Sequence, residues 1–384
     1  MKIIPKLPDW GTSIFTIMSR MAVEHNAINL AQGFPDFNCD EELLELVHHF
    51  QKSGYNQYAP MQGIPELRKA ISKKIEHLYH RHYNFDSEIT ITAGATQALY
   101  TSIATVVKSG DEVVVFEPAY DSYVPDILSN GGVPVYVPLN PVDYSYDWEL
   151  VRKKISNKTK LLIINSPHNP TGSLVSGDDL KELEKITKET NILIVSDEVY
   201  EHITFDCKKH FSLSSSEELS KRTFIISSFG KTYHTTGWKM GYCAAPENLT
   251  KEFRKMHQFI VFSVNTPIQY AYSEFLKQND RYLSLGKFYE YKRDLFIDAI
   301  KNSKFKIKNC EGTYFQLLDY SSISDKPDIE FAEWMTKVVG VAVIPLSPFY
   351  EDKVSRSLVR ICFAKSEEIL KEASKRLRNL QSKL

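Results

Sequence analysis

An alternation in the middle of the chain constrains its fold more than any other feature. Short runs rich in Val, Ile and Thr, at 89–93, 112–116, 160–165, 191–196 and 223–228, are separated by longer amphipathic stretches such as 96–107 and 177–190. Each run is about one strand long, and several are apolar throughout. Such runs suit strands covered on both faces, because parallel strands need crossover connections that lay helices over the sheet. The pattern predicts an α/β fold with a large domain over 45–275, its central sheet mostly parallel and flanked by helices. The flanking sequence reads differently. Residues 280–303 show a charged amphipathic helix, 304–320 strands, and 328–339 and 366–384 helices. These predict a small α+β domain formed by 276–384 together with an N-terminal segment, 1–44.

Length agrees, since 384 residues fit two or three domains and can bury a large core. Charge is balanced, 47 Lys+Arg against 48 Asp+Glu, which argues against a nucleic-acid partner. The five Cys are odd in number and never spaced C-x-x-C. That excludes a zinc ribbon, speaks against a disulfide framework and favours a reducing cytoplasm. The first ten residues lack the apolar core of a signal peptide, and no stretch approaches the roughly 18 apolar residues of a membrane span. A cytoplasmic protein without a membrane partner is expected.

Several motifs fail on inspection. Gly230-Lys231-Thr232 imitates the end of a phosphate-binding P-loop, but that loop needs Gly where Ile225 stands. No G-x-G-x-x-G follows a predicted strand, so a nicotinamide site has no support. His77, His80 and His82 sit among Lys73, Lys74, Glu76 and Arg81, as on a solvated helix end, and no metal site is expected.

Ligands of open α/β sheets bind beyond the carboxyl ends of the strands, so the residues just past each run matter most. After the first run comes Gly94-Ala95-Thr96 and a helix, whose free N–H groups can hold a phosphate. After the second comes Tyr120, a flat ring; after the third, Asn169-Pro-Thr-Gly172; after the fourth, Asp197 and Tyr200; after the fifth, Lys231 and Lys239. Each has an ordinary explanation alone: a turn, a helix cap, a solvated amine. Together they place a phosphate cradle, a ring, an amide, a carboxylate, a phenol and an amine at one sheet edge. A flat, phosphorylated aldehyde with a ring nitrogen needs that set, and pyridoxal 5'-phosphate is such a molecule.

The motifs resemble those of fold-type I pyridoxal-phosphate aminotransferases of class I/II. Asn169-Pro-Thr-Gly172, Asp197-x-x-Tyr200 and Ser228-Phe-Gly-Lys231 stand in that family's order, with 28 positions from Asn169 to Asp197 and eight from Lys231 to Lys239. Asn29-Leu-Ala-Gln-Gly-Phe-Pro-Asp-Phe37, Asn56-Gln-Tyr-Ala-Pro60 and Ser227-Ser-Phe-Gly-Lys-Thr-Tyr-His234 are similar to the methionine, kynurenine and glutamine aminotransferase group. The resemblance runs from about residue 28 to the C-terminus.

It implies a role for each residue. Lys231 is the catalytic amine, attaching to the cofactor and then carrying a proton. Asp197 faces the ring nitrogen, Tyr200 and Asn169 the ring's phenolic oxygen, and Tyr120 the ring face, with core packing as the rival reading of Tyr120. Ala95, Thr96, Ser228 and Lys239 hold the phosphate; many family members carry Arg where Lys239 stands, and Lys keeps the charge without the bidentate fork. Tyr58 reaches the phosphate of a partner subunit, which implies a homodimer with shared sites. Arg360, with Asn169 and the backbone at Gly33, clamps the substrate α-carboxylate, a structural ion pair being the alternative for Arg360. Ile14, Phe15, Tyr314 and Phe315 are apolar candidates for the pocket wall, and no second Arg for an acidic side chain is evident. The expected reaction moves the amino group of an uncharged, large or aromatic amino acid (methionine, glutamine, kynurenine, Phe or Tyr) to a 2-oxo acid. Cysteine-conjugate β-elimination on the same scaffold and a non-catalytic binding module are the alternatives.

Overall fold

The computed structural model describes residues 3–382. Positions 1, 2, 383 and 384, which the expected small domain and its last helix include, lie outside the described residues. Seven strands form one sheet: β1 (Ile89–Thr92), β2 (Glu112–Glu117), β3 (Val133–Pro138), β4 (Thr159–Asn165), β5 (Leu193–Asp197), β6 (Thr223–Ser228) and β7 (Gly241–Ala244). Their order is β1-β7-β6-β5-β4-β2-β3. β7 runs antiparallel to both neighbours and the other pairs are parallel, so six strands end at the same edge.

Both faces of the sheet are covered, as the apolar runs require. Val113 and Val115 of β2 pack on one side with Leu99 and Ile103 of the helix Gly94–Val106, along with Ile163, Val195 and Phe224. Their neighbours Val114 and Phe116 point the other way, into a larger core that continues through Leu162, Ile164 and Ile194. Two strands escape the sequence pattern. β3 carries Pro134 and Pro138 and lies at the sheet edge, the place where a missing N–H does no harm. β7 has four residues and the reversed direction, so no helical crossover announces it.

The predicted flanking elements are present with shifted ends. The stretch 280–303 is two helices, Asp280–Leu283 and Leu285–Ile300. The predicted strands at 304–320 are Lys306–Ile307 and Phe315–Asp319. The latter sits in a four-stranded antiparallel sheet beside Leu358–Cys362, which in turn pairs with Ile344–Pro345. The N-terminal segment is tied to this part: Ile28–Asn29 pairs in parallel with Val341–Ala342, and the Cys362 N–H donates to the Leu30 carbonyl at 2.8 Å. The helix Glu41–Lys52 runs across position 44, through the expected domain boundary.

Candidate active site

A cavity of ≈150 Å³ opens where β1, β4, β5 and β6 end. Its lining includes Ala95, Thr96, Tyr120, Asn169, Asp197, Tyr200, Ser228, Lys231 and Lys239, nine residues that the sequence singles out from five separate strand ends.

One wall is built to receive an anion. The helix Gly94–Val106 starts at the cavity, and its N-cap, Ala93, offers no side-chain acceptor to the first turn. The N–H groups of that turn have no partner within the helix. Two glycines let backbone come close here. Gly94 has φ +77°, and a Cβ on it would lie 3.3 Å from Lys239 Cε; a Cβ on Gly241 would lie 3.0 Å from the Ala95 nitrogen. Ser228, at the end of β6, completes this wall.

The opposite wall carries a buried carboxylate. Asp197, the last residue of β5, accepts from the Tyr123 hydroxyl at 2.6 Å and from the Val199 N–H at 3.3 Å. Burial pushes its carboxyl up to about 6, and the Tyr123 hydrogen bond is the largest opposing influence. Asn165 lies beside Asp197 in register across β4 and β5. Its Nδ2 donates to the Asp197 carbonyl at 2.9 Å while its Oδ1 accepts the Asn169 N–H at 2.8 Å, which fixes the turn that presents Asn169. Tyr200 is buried, edge-on to Tyr314.

Lys231 stands between the walls, on the single helical turn Phe229–Thr232 that follows β6. Its Nζ donates to the Tyr314 hydroxyl at 3.0 Å and to the Gly33 carbonyl at 3.3 Å. Tyr314 donates to the same carbonyl at 2.7 Å. Gly33 is wanted for its size, since a Cβ there would meet Phe315 Cζ at 2.7 Å. Burial pulls the Lys231 ammonium down to about 8.

Arg360 enters from the strand Leu358–Cys362. It is 1% exposed, its guanidinium lies 3.8 Å from the Phe315 ring centroid, and Phe15 flanks it at 5.0 Å. Nη1 donates to Asn169 Oδ1 at 2.7 Å and Nη2 to the Ala31 carbonyl at 3.2 Å, while Nε has no partner. The alternative of a structural ion pair fails: no carboxylate pairs with Arg360 among the described residues. Burial pulls its guanidinium down to about 10.

Arg360, Gly33 and Tyr314 are not in the cavity lining but reach it through hydrogen bonds to Asn169 and Lys231, Phe15 stands behind Arg360, and Ile14 and Tyr58 lie elsewhere. Ile14 lines a neighbouring cavity of ≈550 Å³, which shares Tyr120 with the first, and Phe15 packs edge-on against Phe349. Tyr58 is 81% exposed and packs edge-on against exposed Phe262, away from the cavity of its own chain. Tyr123 and Asn165, on the other hand, belong to the site although the sequence reading passes over them. Tyr123 lies one helical turn beyond Tyr120, and Asn165 is the last residue of a strand, beside the positions that supply the other candidates.

Comparison with known proteins agrees with this geometry. The sequence matches the family model for aminotransferases of class I and II over residues 25–377. It is 47% identical to the methionine aminotransferase of Escherichia coli K12 over 376 residues, covering 98% of this chain and 97% of that protein. Identity to the kynurenine–oxoglutarate transaminase of Dictyostelium discoideum is 32%, covering 97% and 95%. The crystal structure of YbdL from E. coli, identified with a methionine aminotransferase function, superposes with a TM-score of 0.97 at 47% identity, covering 99% of this chain and all of that one. The N-succinyldiaminopimelate aminotransferase of Mycobacterium tuberculosis superposes at 0.95 and 33%, with 99% and 100% covered. The family model and these relatives cover nearly the whole chain, and the chain therefore belongs to the class I and II aminotransferases, the pyridoxal-phosphate-dependent enzymes of fold type I.

Proposed function

We propose that the enzyme transfers the amino group of an uncharged, large or aromatic amino acid, of the methionine, glutamine, kynurenine, Phe or Tyr class, to a 2-oxo acid. The observation that carries this reading is Arg360: a buried guanidinium among aromatic rings, hydrogen-bonded to Asn169 of the Lys231 cavity and in no ion pair among the described residues. An unpaired buried cation is costly, and a substrate α-carboxylate supplies the missing charge. The names of the similar methionine and kynurenine enzymes support the donor class. They give no support to β-elimination.

Pyridoxal phosphate, when bound, supplies an electron sink that lets an amino acid lose its α-proton. The cavity fits it: a helix N-terminus with two close-approach glycines, a buried carboxylate and an amine between them. The N–H groups of Ala95 and Thr96, the Ser228 hydroxyl and the Lys239 ammonium would hold the phosphate. Asp197 would hold a proton on the ring nitrogen, and the Tyr123 hydroxyl favours its ionised form. Tyr200 and Asn169 would donate to the phenolic oxygen, with Tyr120 against the ring. Lys231 would anchor the cofactor and then move a proton to and from the substrate Cα. At about 8 its amine is poised for both directions near neutral pH. Arg360 and Asn169 would orient the α-carboxylate, with the backbone at Gly33 closing over it.

Tyr58 supports a homodimer in which it completes a partner subunit's phosphate site, because it is exposed beside a face that also bares Phe259 and Phe262. Five free cysteines are consistent with the cytoplasm. We retain the two-domain division, 45–275 against 1–44 with 276–384, which puts Lys231 and Arg360 in different domains. The test is transfer from methionine, phenylalanine and kynurenine to 2-oxo acids, followed as new amino acid. Lys231→Ala is expected to lose roughly 10³-fold or more. A wild-type protein that transfers nothing, or a variant that keeps its rate, would refute the reading.

A further inference from the structure

The segment that brings Gly33 to the active site has no regular structure of its own. Residues 30–40 form neither helix nor strand, between the short strand Ile28–Asn29 and the helix Glu41–Lys52. Irregular segments are the mobile parts of a fold, yet this one carries the carbonyl that accepts from both Lys231 Nζ and the Tyr314 hydroxyl. What holds it is the stretch just after Arg360. The Cys362 N–H donates to the Leu30 carbonyl at 2.8 Å, and the Ser366 N–H to Asp36 Oδ1 at 2.6 Å. Between these two ties, next to Gly33 itself, the tie is a side chain. Lys365 Nζ donates to the Phe34 carbonyl at 2.8 Å and lies 4.6 Å from the Phe34 ring centroid. Pro35 follows with its fixed φ, so only the two backbone torsions of Phe34 separate the pinned carbonyl from that of Gly33. Lys365 is 3% exposed and in no ion pair among the described residues. Its own carbonyl accepts from buried Lys292 Nζ at 2.7 Å, which fixes its backbone in turn. An ammonium buried without a carboxylate is a costly way of filling space that a Met would fill without a charge. What the ammonium adds is a donor at the peptide beside the Gly33 carbonyl.

Resting on the transaminase reading above, we infer that Lys365 is a positioning residue for Lys231: by pinning the Phe34 peptide it holds the Gly33 carbonyl against Lys231 Nζ and so aims the amine that moves the substrate's α-proton. A lysine nitrogen has three positions besides its bond to carbon. The Gly33 carbonyl and the Tyr314 hydroxyl take two of them as N–H donors, so the direction of the third, the lone pair of the neutral amine, is set by elimination. A slack segment loses that aim although neither Arg360 nor the phosphate wall has been touched. Misplacement by about 1 Å is enough to cost about 10²-fold in rate.

The test compares Lys365→Met with wild type, both as the full-length enzyme. In transfer from methionine, kcat should fall by roughly 10–100-fold. KM should stay within about threefold, because the carboxylate clamp is intact. Methionine deuterated at Cα should show a larger isotope effect on kcat in the variant, since the moved proton becomes the slow step. Hydrogen exchange over residues 30–37 should be about tenfold faster in the variant, with or without cofactor. The thermal midpoint should fall by no more than about 4 °C. A merely structural role would lower the midpoint further and leave the isotope effect alone. A variant that loses its fold, keeps its kcat or keeps the exchange of 30–37 would overturn the inference while normal transfer by the wild type leaves the transaminase reading intact. A wild type that transfers nothing would overturn both.

Discussion

Replacing Arg360 by Met separates two accounts of a buried charge. If the guanidinium is a structural partner, its removal should cost about 3–5 kcal/mol, as breaking buried ion pairs does. The geometry says otherwise. The fall from 12.5 to about 10 means that burial makes the ionised state costlier, by roughly 3 kcal/mol. Because the folded value is the lower one, this cost is fully present below pH 10 and recedes only as pH rises toward 12.5. Met relieves it and packs against Phe15, Phe315 and Phe349, but leaves Asn169 Oδ1 and the Ala31 carbonyl without their donor, at about 1 kcal/mol each. The variant should therefore be neutral or stabilised by about 1 kcal/mol at pH 7.5. Activity should move the opposite way. Two charge-assisted hydrogen bonds to a carboxylate are worth about 1.5–3 kcal/mol each, so kcat/KM for methionine should fall by roughly 10²–10⁴-fold. Thermal unfolding and steady-state kinetics on the same preparation read both. A midpoint lowered by more than about 6 °C, or a kcat/KM kept within tenfold, would refute the reasoning.

The same site yields two further outcomes. Lys231 is pulled down by burial, so its neutral amine accumulates above about pH 8 and not above 10.5; the rate of cofactor attachment to cofactor-free protein should rise with a midpoint near 8, and a midpoint above 10 would contradict this. Gly241→Ala places a Cβ 2.7 Å from the Ser227 carbonyl oxygen and 3.0 Å from the Ala95 nitrogen, both backbone atoms. Overpacking of about 1–3 kcal/mol should loosen the phosphate wall and weaken cofactor binding by about tenfold, read by equilibrium dialysis. Gly237→Ala, with nothing within 4 Å of the new carbon, is the control, and equal affinities in the two variants would sink the argument.

The sheet is legible in the sequence where its strands are buried on both faces, because such strands are apolar without interruption. β3 and β7 are not. An edge strand tolerates Pro134 and Pro138, and an antiparallel strand that follows its neighbour directly lacks the helical crossover that marks the others. The same logic divides the site. Lys231, Asp197, Asn169 and Ala95 stand at strand ends, and strand ends can be counted along the chain. Asn165 acts because β4 and β5 set it beside Asp197, a neighbour 32 positions away that no local pattern reveals. Tyr123 acts through one hydroxyl aimed at Asp197.

These placements share a physical consequence. Lys231, Asp197 and Arg360 are each driven toward the neutral form by burial, and none is in an ion pair among the described residues. Paired with one another they would satisfy the fold and leave nothing for a ligand. Held apart by β5, β6 and the strand Leu358–Cys362, each stays free for a bound group, which on the proposed reading is a ring nitrogen for Asp197, an aldehyde carbon for the neutral amine of Lys231 and a carboxylate for Arg360. The stability this arrangement forgoes is supplied by two-sided burial of the sheet. That is why the strands most evident in the sequence are also those that position the charges.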